Sequence, residues 1–89
     1  MNQSVKGLLE RWMDLDRRLS VAANGMSGGV VLSEFAESWG VDVKTVRRDL
    51  ILFASSGRKM TRYPGEEHYA YSYEPGTAPI FNHDVGEGT

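Results

Sequence analysis

The sequence predicts a single small α+β domain, and three observations lead to that prediction. The chain has 89 residues, and a chain of this length forms one domain with one modest core. Apolar residues recur at helical spacing up to residue 56 and at a spacing of two afterwards, which predicts helices followed by strands. The chain has no cysteine, so neither disulfides nor cysteine-based zinc sites can hold the core.

A first helix is predicted over residues 5–23. Ser4 is the expected N-cap, and Asn24 followed by Gly25 is the expected stop. The apolar stripe shifts near residue 13, which is compatible with a break into two helices. The stripe consists of Val5, Leu8, Leu9, Trp12, Met13, Leu15, Leu19 and Ala22.

Two shorter helices are predicted on either side of a tight turn. The first begins at Ser33 as a simple N-cap and ends at Gly40, which suits a left-handed backbone. Val41 is expected to fill the turn, and Asp42 to cap the second helix over residues 43–56. Their apolar faces comprise Leu32, Phe35, Ala36 and Trp39 in the first helix and Val46, Leu50 and Phe53 in the second.

A β-hairpin is predicted after these helices, because the apolar period changes to two. Residues 58–63 and 68–73 form its strands, and the Pro-Gly-Glu-Glu sequence of residues 64–67 forms its turn. A shorter strand is compatible with the apolar run at residues 30–32. Residues 74–89 are rich in turn formers and are predicted to be a loosely attached tail.

Two helices joined by a glycine-containing turn and followed by a basic hairpin outline a winged helix-turn-helix. The predicted fold is therefore a three-helix core plus a C-terminal β-hairpin wing. The core and wing are assigned to residues 15–73, an N-terminal helical extension to residues 1–14, and the tail to residues 74–89.

The helix before the wing is predicted to expose a cationic face. Burying Val46 on its inner side leaves Lys44 and Arg48 almost opposite, because successive residues lie about 100° apart. Thr45 and Arg47 then lie on the two flanks. A cationic, hydrogen-bonding surface of this kind suits base edges and phosphates.

The charge is segregated along the chain, although its total is only −2. Residues 44–62 carry one acid and six bases, a net charge of +5, whereas all other residues hold four bases and eleven acids, a net charge of −7. The local surplus of positive charge matters, because fields fade over about 8–10 Å in physiological salt. The six bases are Lys44, Arg47, Arg48, Arg58, Lys59 and Arg62.

The stretch VLSEFAESWGVDVKTVRRDL, residues 31–50, resembles the winged helix-turn-helix of DeoR-type bacterial regulators, like the N-terminal domain of regulators that carry a WYL domain. The resemblance covers residues 15–81. Two features depart from the family pattern. Asp42 stands where the family usually has serine, and Ile51 and Leu52, directly after the motif, stand where the family is usually polar. Family positions in the wing are occupied by Gly57, Met60, Pro64, Gly65, Tyr69 and Tyr71.

The resemblance implies a small transcriptional regulator, a repressor, that binds double-stranded DNA sequence-specifically in the bacterial or phage-infected cytoplasm, at the nucleoid. A homodimer is expected as well, because Ile51, Leu52 and the stripe of the first helix are more apolar than a free monomer needs. A repressor uses such a dimer to read a two-fold operator. The residues expected in the major groove are Val43, Lys44, Thr45, Arg47 and Arg48. Those expected on phosphates are Ser33, Arg58, Lys59 and Arg62.

Several alternatives stay open at this point. The chain could be a winged helix that binds proteins, or the DNA-binding part of a larger, effector-responsive regulator. The exposed apolar pair Ile51 and Leu52 could belong to a dimer interface, together with the first helix, or could pack under Ile80 and Phe81 of the tail. The tyrosines of the hairpin are expected to pack on the helices, the alternative being a stacking platform for single-stranded nucleic acid.

The sequence offers little support for other functions. No nucleophile elbow or glycine-rich phosphate loop is present, so no enzyme activity, cofactor or small-molecule ligand is expected. His68, His83 and Asp84 lack metal-site spacing. No membrane span or signal peptide is expected, because apolar runs are too short. Asp49 cannot pair with Arg47 or Arg48 in helical register and is predicted to contact the first helix or the wing.

Overall fold

The computed structural model describes residues 5–23, 28–64 and 69–81. This part of the chain contains three helices and one three-stranded antiparallel sheet, which confirms the predicted α+β class. None of the described helices is long and apolar enough to cross a membrane. The elements are α1 (Val5–Ala23), β1 (Val30–Val31), α2 (Leu32–Trp39), α3 (Val43–Ser55), β2 (Met60–Tyr63) and β3 (Ala70–Tyr73).

Helix α1 is continuous, so the break considered near residue 13 is absent. The pattern shifts there because Leu9 and Met13 are apolar but exposed. Asp14 faces α2, where its carboxylate accepts a hydrogen bond from Trp39 Nε1 at 2.9 Å. Leu15 and Leu19, one turn apart, are fully buried. The predicted N-cap and stop of this helix, at residues 4 and 24–25, lie outside the described residues.

Helix α2 begins earlier than predicted, and the N-cap assigned to Ser33 is wrong. The N-cap position is Val31, whose side chain makes no capping hydrogen bond, and Ser33 is exposed within the first turn. The reason lies in the sheet. Val31 pairs with Ala70 of β3, and the buried Leu32 follows at once, so the strand leads directly into the helix.

The turn between α2 and α3 forms as predicted. Gly40 adopts a left-handed conformation at φ 67°, and the Val41 N–H donates to the Ala36 carbonyl at 3.0 Å, which closes a Schellman-type end. Val41 packs against the core. The Asp42 side chain accepts from the Lys44 N–H at 2.8 Å and caps α3.

The sheet has the order β1-β3-β2, with every neighbouring pair antiparallel. The hairpin strands are two residues shorter at their starts than predicted, and residues 65–68, which hold most of the predicted turn, lie outside the described residues. The short strand anticipated near residue 30 is confirmed as β1, which pairs Val30 with Tyr71.

The core lies where the three helices meet the sheet. Tyr73 of β3 is fully buried in it, and Tyr71 packs against its edge, as expected. Tyr69, by contrast, is half exposed. The buried cluster comprises Leu15, Leu19, Val30, Leu32, Phe35, Ala36, Val46, Leu50, Phe53 and Tyr73.

The first part of the predicted loose tail is docked. The fully buried Asp16 carboxylate accepts hydrogen bonds from the Ile80 and Phe81 N–H groups, at 3.0 and 2.9 Å, and from the Tyr73 hydroxyl. Burial, the hydrogen bond and the charge of this carboxylate raise the pKa of Tyr73 above its ordinary value, although the nearby Arg58 opposes the shift. The loose-tail prediction is thus wrong for residues 74–81, and residues 82–89 lie outside the described part.

Candidate nucleic-acid interface

The outward face of α3 carries three exposed cations. Because Val46, Leu50 and Phe53 are buried in the core, the side chains of Lys44, Arg47 and Arg48 point away from it and are exposed. Thr45 is half-buried on the flank. The structure therefore places these four residues as the helical spacing predicted, on the N-terminal half of α3.

Within the described part of the chain, no carboxylate forms an ion pair with these three cations. Among the described residues, the ion pairs join Arg11 to Asp49 and both Arg17 and Arg18 to Asp14. No described ion pair involves Lys44, Arg47 or Arg48. An unneutralised cationic face can bring its full charge to an anionic partner.

A buried ion pair fixes the helix that presents this face. Asp49 is buried and accepts hydrogen bonds from Arg11 Nε at 3.0 Å, Arg11 Nη2 at 3.3 Å and Trp12 Nε1 at 2.9 Å. Of the two predicted partners of Asp49, the first helix is therefore the observed one. Since Asp49 directly follows the two exposed arginines, its anchorage to α1 sets the rotation at which α3 presents them.

Sequence reasoning missed Arg11 as the partner of this aspartate, although a signal was present. Arg11 lies three residues after Leu8 and four before Leu15, so it stands on the apolar face of α1. It is accordingly buried. A basic residue on the buried face of a helix requires a carboxylate partner, because an isolated buried charge is strongly unfavourable.

A second polar cluster holds α1 against α2. Asp14 accepts from Arg17 at 2.7 Å, from Arg18 at 3.1 Å and from Trp39. Burial alone would raise the pKa of Asp14, but the Trp39 hydrogen bond and the two guanidinium groups outweigh it, so the pKa lies below its ordinary value. The Arg18 guanidinium also lies 5.2 Å from the centre of the Phe35 ring.

The hairpin adds a cation close to α3. The Arg62 guanidinium stacks on the ring of Tyr69, 4.2 Å from its centre, which restrains an otherwise exposed side chain. Arg62 also lines a groove of about 210 Å³ between α3 and the hairpin, together with Ile51 and Tyr71. Lys59 is exposed at the start of the hairpin.

Two of the predicted DNA-contacting residues have side chains that are engaged within the fold. Val43 is half-buried and packs against the core. Arg58 donates hydrogen bonds to the carbonyls of Ala78 and Pro79 at 3.2 Å, so its guanidinium secures the docked segment. Ser33 is exposed at the start of α2, away from the α3 cluster in sequence. The Ala78 and Pro79 carbonyls lie 20 and 21 residues further along the chain, and no local pattern could have indicated them.

The alternative in which Ile51 and Leu52 pack under the tail is not found in the described part of the chain. Ile80 packs against the core and its N–H binds Asp16 of α1, whereas Ile51 and Leu52 remain 62 % and 49 % exposed. The residues considered as metal ligands, at positions 68, 83 and 84, lie outside the described residues.

Comparison with protein families, with curated proteins and with solved structures finds no match to this chain. Function must therefore be inferred from the surface itself. That surface is the exposed N-terminal half of α3, whose three cations pair with no carboxylate of the described residues. It lies beside a restrained hairpin arginine, on a chain whose residues outside 44–62 carry a net negative charge.

Proposed function

We propose that this chain binds duplex DNA sequence-specifically as a winged helix-turn-helix transcriptional regulator, acting as a repressor. The observation that carries the proposal is the outward face of α3, where Lys44, Arg47 and Arg48 are exposed and no described carboxylate pairs with them. The resemblance of residues 31–50 to DeoR-type regulators points to the same function.

The dimensions of this face suit the major groove. Lys44 and Arg48 are four residues apart, which is about 6 Å along a helix axis and close to two base-pair steps. Arginine side chains of this kind form paired hydrogen bonds with guanine, and the Thr45 hydroxyl can bond to base or phosphate. Val43 contributes by holding the first turn of α3 on the core rather than by reading a base.

The hairpin and the start of α2 supply the phosphate contacts. Lys59 is exposed, and Arg62 is held beside α3 by Tyr69, so both can reach backbone phosphates flanking the groove. Ser33 stands in the first turn of α2, where free N–H groups attract anions. We assign Arg58 to securing residues 74–81 instead.

We further propose that the regulator is a homodimer that joins two such surfaces on a two-fold site. Leu9 and Met13 support this, because both are exposed and lie four residues apart on one face of α1. The same surface would serve equally as the DNA-binding part of a larger, effector-responsive regulator.

The test is direct binding of the full chain to duplex DNA at several salt concentrations, followed by selection of bound sequences from a random library. We expect binding to mixed-sequence duplex at low salt, with affinity that falls steeply as salt rises, and enrichment of a defined site. Failure to bind any duplex at about 50 mM salt, where electrostatic attraction is strong, would remove the proposal.

A second candidate is a protein-binding module, favoured by the exposed apolar residues Ile51 and Leu52 on α3. Large apolar side chains exposed together commonly mark interaction sites. The same titration separates the two candidates, because a protein-binding module would show no salt-dependent retention on DNA.

A further inference from the structure

Ile51 lies on the same face of α3 as the cations proposed to meet DNA. It follows Lys44 by seven residues, which turns the helix through nearly two full turns and returns it to within about 20° of the same direction. It also follows Arg47 by one turn. Its side chain is 62 % exposed, the highest value among the exposed large apolar residues of the described chain.

The fold does not account for this exposed side chain. Leu50 and Phe53, on either side of it in the sequence, bury their side chains in the core. Ile51 instead borders the groove between α3 and the hairpin, with Arg62 on the opposite side. It therefore stands between two cationic elements, at the rim of a groove that also includes the apolar Met60 and Tyr71.

A DNA major groove offers one apolar feature to such a residue. Among the four bases, only thymine presents a methyl group there, and apolar side chains recognise thymine by contact with it. An aliphatic side chain can form no hydrogen bond with a base edge. An aliphatic side chain on this face therefore favours a base that carries a methyl group over bases that present only polar atoms in the major groove.

We propose that Ile51 is a specificity-determining residue that contacts the methyl group of a thymine. The inference rests on the proposed function and adds the base that this position reads. Seven residues of helix span about 10 Å, close to three base-pair steps. The preferred site should therefore contain an A·T pair about three steps from the pair faced by Lys44.

The test replaces each thymine of the selected site, one at a time, with uracil, which lacks only the methyl group. For the full-length chain, we expect one thymine whose replacement weakens binding about fourfold, the loss of roughly one buried methyl or methylene contact. The Ile51→Ala variant should bind the thymine and uracil duplexes equally at that position. Leu52→Ala, an equally conservative change of a neighbouring exposed side chain, should keep the fourfold difference.

Circular dichroism and thermal unfolding of both variants should match the parent, because neither side chain is buried. The inference is overturned if no thymine is sensitive to its methyl group, if the sensitivity persists in Ile51→Ala, or if the selected site has no A·T pair at the expected spacing. If both variants instead lose the same affinity for every duplex, Ile51 and Leu52 belong to an interface between protein chains and not to the base-reading surface. If no duplex binds, the proposed function itself fails, and this inference with it.

Discussion

Helices α1 and α3 use the same spacing of charged residues in opposite ways. In α1, Asp14 is followed three and four residues later by Arg17 and Arg18, and both pair with it at 2.7 and 3.1 Å. In α3, Lys44 is followed at the same spacing by Arg47 and Arg48, so three like charges stand together. Opposite charges at this spacing stabilise a helix, and like charges destabilise it by a similar amount.

The difference separates cations that stabilise the fold from cations that are available to a partner. The three arginines of α1 each contact a carboxylate, at Asp14 or Asp49. The three cations of α3 lack such a described partner and slightly disfavour their own helix. The charges of α3 therefore do not stabilise the fold, and the two groups of cations should respond differently to substitution.

The largest effect is expected where α1 and α3 meet. Asp49→Ala removes the carboxylate that pairs with the buried Arg11 and accepts from Trp12, and breaking a buried pair costs about 3–5 kcal/mol. Urea unfolding at neutral pH should show this loss. The double variant Arg11→Met with Asp49→Leu should recover most of it, because no unbalanced buried charge remains. A single variant as stable as the parent would show that the pair does not hold α3.

A smaller loss is expected at the carboxylate that docks residues 74–81. Asp16→Ala should cost about 2–3 kcal/mol, since a buried carboxylate with several hydrogen bonds is removed. Hydrogen exchange at the Ile80 and Phe81 amides should accelerate, which reports directly on release of the segment. Tyr73→Phe removes one hydroxyl and should leave both amides protected. Unchanged exchange in Asp16→Ala would contradict the docking.

Sequence reasoning could predict contacts between neighbouring residues, but not the contact of Asp16 with residues far along the chain. The turn between α2 and α3 was predictable because Gly40 and Asp42 act on neighbouring backbone groups. The cationic face of α3 was predictable because helical geometry alone places Lys44 and Arg48 opposite the core. Docking of residues 74–81 was not, since its partner on α1 lies more than sixty residues away.

The missed cap at Ser33 has the same kind of cause. A serine before an apolar run is a sound local signal for a helix start. Pairing between Val31 and Ala70 overrides it, because it carries the strand up to Leu32. Non-local strand pairing, which no local pattern displays, decided the boundary.

The Asp14 cluster should make stability depend weakly on pH. The pKa of Asp14 is lowered in the folded state, so its contribution is present at neutral pH and is lost as pH falls through and below the ordinary range of aspartate. The contribution should be under about 1 kcal/mol, because the side chains of Arg17 and Arg18 are 54 % and 44 % exposed. Asp14→Asn keeps an acceptor for Trp39, and its stability deficit at pH 7 should shrink in acid. A stability deficit that grows in acid would contradict the lowered pKa of Asp14.

The smallest stability effect should be a gain. Lys44→Glu gives α3 the charge order of α1, and it places an acid in the first turn, near the positive end of the helix dipole. Thermal unfolding should report an increase of a few tenths of a kcal/mol. Lys44→Gln, which removes the charge without inverting it, should fall between the parent and this variant. A loss of stability would show that Lys44 contributes to the fold.

The most direct measurement is the DNA affinity of two double variants that remove the same charge from the two helices. Arg47→Ala with Arg48→Ala should bind the selected duplex at least about tenfold more weakly, since each side chain contributes about 1–3 kcal/mol if it reads a base. Arg17→Ala with Arg18→Ala should bind within about twofold of the parent, because these arginines already pair with Asp14. Equal losses in the two variants, or none in the first, would contradict the assignment of α3 as the DNA-binding surface.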